Sequence, residues 1–236
     1  MGESVPSNEV LATRRECDPA SADLFARMAR SRWQGDVLPR KLVELVSLAV
    51  NIACTELNAD GTRRHINGTL DAGASRDEIP FVIKCASAMA IHSCGLGAPI
   101  LLEEAQIATP AADRLQAIGQ WNNAWNPFLA IDRGWTDAFM ATGGGTDGSG
   151  VISPKDTERR SVAFDASFTH IDAPDLRPHV RNALKAGSSV KEIFEVLKTC
   201  VSQGARACNL GVPLLEEELA WRQADGRTQP EGAVSP

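Results

Sequence analysis

The chain of 236 residues has no tyrosine, only four histidines and few aromatic residues, at 5% of the total. Without tyrosine, no phenol can act as a catalytic acid. The six cysteines, Cys17, Cys54, Cys85, Cys94, Cys200 and Cys208, form no C-x-x-C pair, and no Cys/His spacing suggests a zinc centre. Free and mostly buried thiols are the simplest expectation. The histidines fall in neither H-x-x-x-H nor H-E-x-x-H spacing, so no metal ligand is assigned. Excess positive charge is also missing: the net charge of −6 leaves no basic face for a nucleic-acid partner. The first twenty residues are polar and lack the apolar core of a signal peptide. The greasy run Leu42–Cys54, broken by Glu44 and Asn51, is too short to span a bilayer. A cytoplasmic protein without a membrane partner is the expectation. No serine-hydrolase elbow is present, and the Gly-rich GGGTDGSG lacks the strand, helix and lysine of a phosphate loop.

What is present is a repeat. The segment from Arg63, RRHINGTLDAGASRDEIPFVIKC, returns from Arg177 as RPHVRNALKAGSSVKEIFEVLKT, at a constant shift of 114 residues. It pairs His65 with His179, Gly73 with Gly187, Glu78 with Glu192 and Pro99 with Pro213. Between Arg63 and Ala105, 17 of 43 positions are identical, where chance gives about three, and a tandem duplication follows. The expected organisation is a flexible N-terminus (1–18), a first repeat (19–108), a helix with a Gly-rich connection (109–150), a second repeat (151–222) and a disordered tail (223–236). No run of alternating strand residues occurs, so the fold class is all-α.

The spacing predicts a helix over Ala20–Arg32, followed by Trp33, and another from Pro39 to about Leu57 that is apolar on nearly every side. A helix of that kind belongs in the middle of a bundle. Its polar exceptions, Glu44, Ser47, Asn51 and Thr55, lie on one stripe and shift onto Glu158, Ser161, Asp165 and Thr169. A Glu in a buried helix is costly unless it is paired or lines a wet cavity. Pairing with Lys41 or Lys155, an oligomer-facing stripe and a pocket all remain open. Short helices then end at Gly73 and Gly187, each followed by a capping box, Ser75-x-x-Glu78 and Ser189-x-x-Glu192. A long helix runs through Cys94, and acidic segments after Pro99 and Pro213 end each unit. A helix is expected around Ala111–Trp125.

His65 and His179, each placed at a helix start after an arginine, are candidates for proton transfer; a structural histidine capping a turn is the competing role. His92 and its equivalent Arg206 are candidate cations for a carboxylate ligand, although a lone cation on a helix commonly serves structure.

The string H-x-x-x-x-L-x-A-G-x-S-x-x-E-I, at His65–Ile79 and His179–Ile193, resembles the signature of the carboxymuconolactone decarboxylase and alkylhydroperoxidase D (AhpD-like) superfamily. The resemblance covers about 70 residues of each half. It implies a compact helical unit that associates into trimers or hexamers, and so a homo-oligomer, a trimer of tandem chains. The peroxidase branch uses a C-x-x-C whose second cysteine lies four residues before the histidine. Asn58 and Gly61, and in the second copy Asp172 and Asp175, stand there instead. The decarboxylase branch keeps the histidine without the thiols. By resemblance, His65 or His179 would donate a proton or polarise a lactone oxygen, oriented by Glu44 or Glu158. His92 or Arg206, with Asn51, Asp165 and Trp33, would bind substrate. The implied activity is a cofactor-independent lyase or isomerase acting on a small carboxylated lactone or ring acid. A peroxidase and a non-catalytic binding or assembly protein are the alternatives.

Overall fold

The computed structural model describes residues 37–108, 126–141, 150–202 and 204–224, with scattered positions between 15 and 27. All regular structure among the described residues is helical. The chain divides into two compact units, Gly35–Val201 and a second formed by residues 1–34 with 202–236.

The larger unit contains α1 (Arg40–Ile52), α2 (Ala59–Asp71), α3 (Glu78–Ala88), a 3-10 turn (Met89–Ile91), α4 (His92–Glu104), α5 (Asn126–Ile131), α6 (Arg133–Ala141), α7 (Pro154–Asp165), α8 (Ala173–Lys185) and α9 (Val190–Ser202). α1 is its centre and packs on α2, α3 and α7, while α7 packs on α8. Ten consecutive residues of α1, Leu42–Asn51, are buried, which is why its sequence is apolar on all sides. Leu45, Leu48, Ala49 and Ala53 meet Ile79, Val82 and Ala86 of α3 and Met89 of the 3-10 turn, with Ile152 and Phe164 from further along the chain, in one core. The smaller unit contains α10 (Ala205–Ala224).

Features 114 residues apart have the same local structure. Leu57 and Ile171 both take left-handed backbone, φ 43° and 44°, as do Gly73 and Gly187, φ 81° and 87°. Each of these glycines closes its helix without a Cβ penalty. Both capping boxes form: the Ser75 and Ser189 amides donate to Glu78 and Glu192 at 2.6 Å, and the serine hydroxyls accept in return. Thr169 donates to the residue 114 positions before it, Thr55, at 3.1 Å.

Several boundaries differ from expectation. α1 stops at Ile52 and Thr55 is exposed, so the polar stripe is buried only at Glu44, Ser47 and Asn51. His65 and His179 stand inside their helices, because the caps are Asn58 and Asp172, whose side chains accept from the amides of Gly61 and Asp175. Pro99 and Pro213 lie within α4 and α10, which continue past them; each proline forfeits a backbone bond without ending its helix. The expected long helix is broken by the 3-10 turn at Met89–Ile91. The predicted helix at Ala111–Trp125, Trp33 and nearly all of GGGTDGSG lie outside the described residues. Counted without the break, Glu78–Glu104 is long and apolar enough to cross a bilayer, beyond what the Leu42–Cys54 run suggested. Ile79, Val82, Ala86, Met89 and Ile91 of that stretch are buried, yet only 22% of its most apolar window is, with Leu96, Ile100 and Leu101 exposed in the single chain.

Candidate functional site

The same pair occurs twice, 114 residues apart, each time between two packed helices. On α1, Glu44 Oε2 lies 2.8 Å from His65 Nδ1 of α2; on α7, Glu158 Oε2 lies 2.7 Å from His179 Nδ1 of α8. A carboxylate can only accept, so Nδ1 carries the hydrogen in each pair, and Nε2 is the nitrogen through which His179 could act as acid or base. The lysines expected as alternative partners go elsewhere: Lys41 pairs with Glu78 and Lys155 with Glu192.

The two pairs differ in access. The His65 side chain is 3% exposed, and Glu44 is held from its other oxygen by Arg40 at 2.9 Å. His179 is 32% exposed. Two glycines of α2 account for the seal. A Cβ on Gly68 would lie 2.5 Å from the Glu44 carboxylate, and one on Gly61 would lie 1.7 Å from Asn51 Oδ1. A side chain at either place would displace the buried Asn51 or Glu44 side chain. The equivalents in α8 are Asn182, which donates to Glu158 Oε1 at 3.3 Å, and Asp175.

Around His179 the second site gathers further titratable groups. Asp165, the equivalent of Asn51, ends α7 with Oδ2 at 3.9 Å from His179 Nε2. His92, at the start of α4, stacks on His170 with ring centroids 4.6 Å apart, its Nδ1 meeting His170 Nε2. The same His92 lies 3.4 Å from Asp172 and 3.5 Å from Asp175. Burial works against a charged His179, yet the Glu158 hydrogen bond and the carboxylates of Asp165, Glu158 and Asp175 raise its pKa above the ordinary value. Burial pushes the Asp165 carboxyl up to about 7 despite His179. His92 is lowered by burial and by His170, which together outweigh Asp172 and Asp175.

Of the residues singled out from sequence, Glu44 and His65 thus meet in one site, and Glu158, His179, Asp165 and His92 gather in the other. Asn51 turns its amide to Ser47 O at 2.7 Å. Arg206 lies on α10, in the smaller unit. His170 was not singled out: its equivalent is Glu56, and it lies 78 residues from the His92 it meets, so spacing gave no signal. The roles of Gly61 and Gly68 were signalled only by glycine inside a helical pattern. A cavity of about 440 Å³ opens on another flank of α2, lined by Ile52, Leu57, Thr62, Arg63, Ile66 and Asn67 among others; neither His65 nor Glu44 lines it.

The sequence profile described as Carboxymuconolactone decarboxylase family matches residues 19–91. A crystal structure of a proposed gamma-carboxymuconolactone decarboxylase subunit from Burkholderia xenovorans LB400 is 31% identical to the chain. The match covers 93% of this chain and 92% of that one, with a TM-score of 0.81. The chain belongs to the carboxymuconolactone decarboxylase family. No curated protein sequence matches it. The profile stops at Ile91, before the second histidine–glutamate pair, whereas the similarity to the Burkholderia protein extends over both. Membership in the carboxymuconolactone decarboxylase family accounts for the helical fold.

Proposed function

We propose that the protein is a lyase or isomerase acting on a small carboxylated lactone or ring acid, with His179–Glu158 as the working acid–base pair. The single observation that carries this reading is the contrast in access: a base sealed at 3% exposure cannot meet substrate, and His179 at 32% can. In the decarboxylation of such a lactone the C–CO2 bond breaks and its electron pair passes into the conjugated ring. A proton must then arrive at carbon. His179 Nε2 would deliver it, with Glu158 stabilising the imidazolium and holding the ring in place, as a carboxylate orients a catalytic histidine elsewhere. The proton transfer itself calls for no organic cofactor. The name of the Burkholderia relative makes gamma-carboxymuconolactone the first substrate to try. His65–Glu44 then braces α2 against α1.

The decisive experiment follows carbon dioxide release from gamma-carboxymuconolactone by wild type, His179→Gln and His65→Gln. His179→Gln is expected to cost about 10²–10⁴-fold in kcat, the usual worth of a positioned acid or base. His65→Gln is expected to lower Tm while the rate per folded molecule stays within a few-fold. Equal losses in both, or a His179→Gln variant at full rate, overturn the assignment.

The homo-oligomer remains part of the proposal, as a trimer of tandem chains. Leu96, Ile100 and Leu101 on α4 are exposed by half or more in the single chain, a surface suited to burial between copies. Light scattering that gave the mass of one chain would remove it.

A further inference from the structure

We propose that His92, His170 and Asp165 form a binding site for one divalent first-row transition-metal ion of the zinc type. The three side chains come from separate places in the fold: the start of α4, the turn after α7 and the last residue of α7. Each offers a ligand atom, and these atoms all lie within 4.8 Å of one another. Nitrogen and oxygen ligands around tetrahedral zinc, at ~2.0–2.1 Å from the ion, stand about 3.3 Å apart. Small side-chain rotations would close the site.

A second observation points to a ligand independently of the clustering. Asp165 Oδ2 is buried, on a side chain only 3% exposed, and accepts no hydrogen bond. A buried polar atom left without a partner is costly, and a cation between Asp165 and the two imidazoles would satisfy it. His92 also has an outer partner. With Nδ1 facing His170, its Nε2 is 3.5 Å from Asp175 Oδ2, where a carboxylate can receive the ring hydrogen and fix the tautomer for ligation. Asp172 Oδ2, 3.4 Å from His92 Nδ1, supplies a further oxygen at the same place.

The donor set chooses the ion. Magnesium and calcium prefer oxygen alone, whereas two imidazoles and a carboxylate suit zinc, cobalt, nickel or iron. One ion per chain is expected, because the first repeat has Asn51, Glu56 and Asn58 where the second has Asp165, His170 and Asp172. This inference goes beyond the acid–base proposal and needs no turnover to stand. If both hold, an anionic group bound to the ion's open positions would lie beside His179, whose Nε2 is 3.9 Å from Asp165.

The test is titration of the full, chelator-treated chain with cobalt(II) chloride alone, followed by calorimetry and absorption. Wild type is expected to bind one cobalt ion per chain and to show d–d bands without the near-ultraviolet thiolate charge-transfer band. His170→Ala and Asp165→Asn should each weaken binding by about 10-fold or more. Asp165→Asn restores the residue that the first repeat carries at this place, so one variant keeps the test alive if the other fails to fold. No binding to wild type at millimolar cobalt, a thiolate band, or unchanged affinity in both variants overturns the proposal.

Discussion

The two His–Glu pairs share residue types, spacing and bond length, yet one is closed and the other open. The difference arises on the helix that carries the histidine. In the first repeat Gly61 and Gly68 leave no side chain between α2 and α1, so Asn51 and Glu44 fill the contact and His65 is sealed. In the second, Asp175 and Asn182 occupy the equivalent places and His179 remains a third exposed. Packing and proton transfer make opposite demands on one motif. A buried pair fixes a helix; a working pair must meet its substrate.

Exchanging residues between the repeats would break the comparison, and Gly61→Asp carries the largest expected effect. Its Cβ alone would fall 1.7 Å from Asn51 Oδ1, an overlap that forces the buried Asn51 side chain or α2 itself to shift. Overpacking together with a newly buried carboxylate is expected to cost about 4 kcal/mol or more. Urea unfolding checks it; a loss under 1 kcal/mol would mean that α2 is not held against α1 by this close approach.

Asn51→Asp is the next largest. Asn51 is 1% exposed and donates to Ser47 O at 2.7 Å. A carboxylate there would turn an attraction into a repulsion between acceptors, at about 3 kcal/mol near neutral pH. Acid should relieve part of the loss as the carboxyl protonates. A Tm deficit independent of pH would assign the cost to shape rather than to charge.

The reverse exchange, Asp165→Asn, is expected to stabilise the metal-free protein. Burial raises the Asp165 carboxyl to about 7 in the folded state, above the ordinary aspartate value. Below about pH 4 the group is protonated in both states and imposes no penalty. Between the two values the unfolded chain ionises first, so wild type loses stability as pH rises, and the full penalty stands above 7. The variant should therefore match wild type near pH 4 and exceed it by about 2 kcal/mol at pH 8. A gain that is constant across this range would rule out the carboxylate as its source.

What the sequence made legible follows from what a side chain needs nearby. The all-α fold, the central α1 and both capping boxes were readable, because period, local caps and the repeat express short-range requirements. The residues alone left the partners of Glu44 and Glu158 open, and only the family resemblance set them beside the histidines. The sealing glycines were harder: glycine within a helix reads as a weakness until its neighbour across the interface is known. The His92–His170 contact was out of reach, since it joins the first repeat to a turn of the second that the 114-residue shift does not match with another histidine. The buried arginines of α7 show the same limit. Arg159 reaches Asp156 at 2.8 Å and also pairs with Glu192, while Arg160 lies 4.9 Å from the centre of the Phe81 ring. Their equivalents in α1 are Leu45 and Val46, and sequence alone places arginine at a surface.

The smallest expected effect separates the two capping boxes. Both glutamates accept from a serine amide at 2.6 Å, and each pairs with a lysine at 3.0–3.2 Å. Glu192 gains Arg159 in addition. The Ser189 amide is foremost in lowering its carboxyl, to about 2, and Arg159 and Lys155 outweigh the opposing burial. At Glu78 burial is the largest influence and acts upward, and the Ser75 amide with Lys41 overcomes it to leave a lowered value. A depressed folded pKa contributes stability above the unfolded value that is lost as pH falls through the folded one. Glu192→Gln should therefore cost about 1 kcal/mol at pH 7 once solvent screening is allowed for. The cost should shrink from about pH 4 downward, where the unfolded chain takes up a proton that the folded carboxylate resists until about pH 2. Glu78→Gln should follow the same trend with a smaller difference. Should the two losses prove equal in thermal melts from pH 7 to pH 3, the third partner at Glu192 contributes nothing, and the capping boxes are energetically alike even where the His–Glu pairs differ in access.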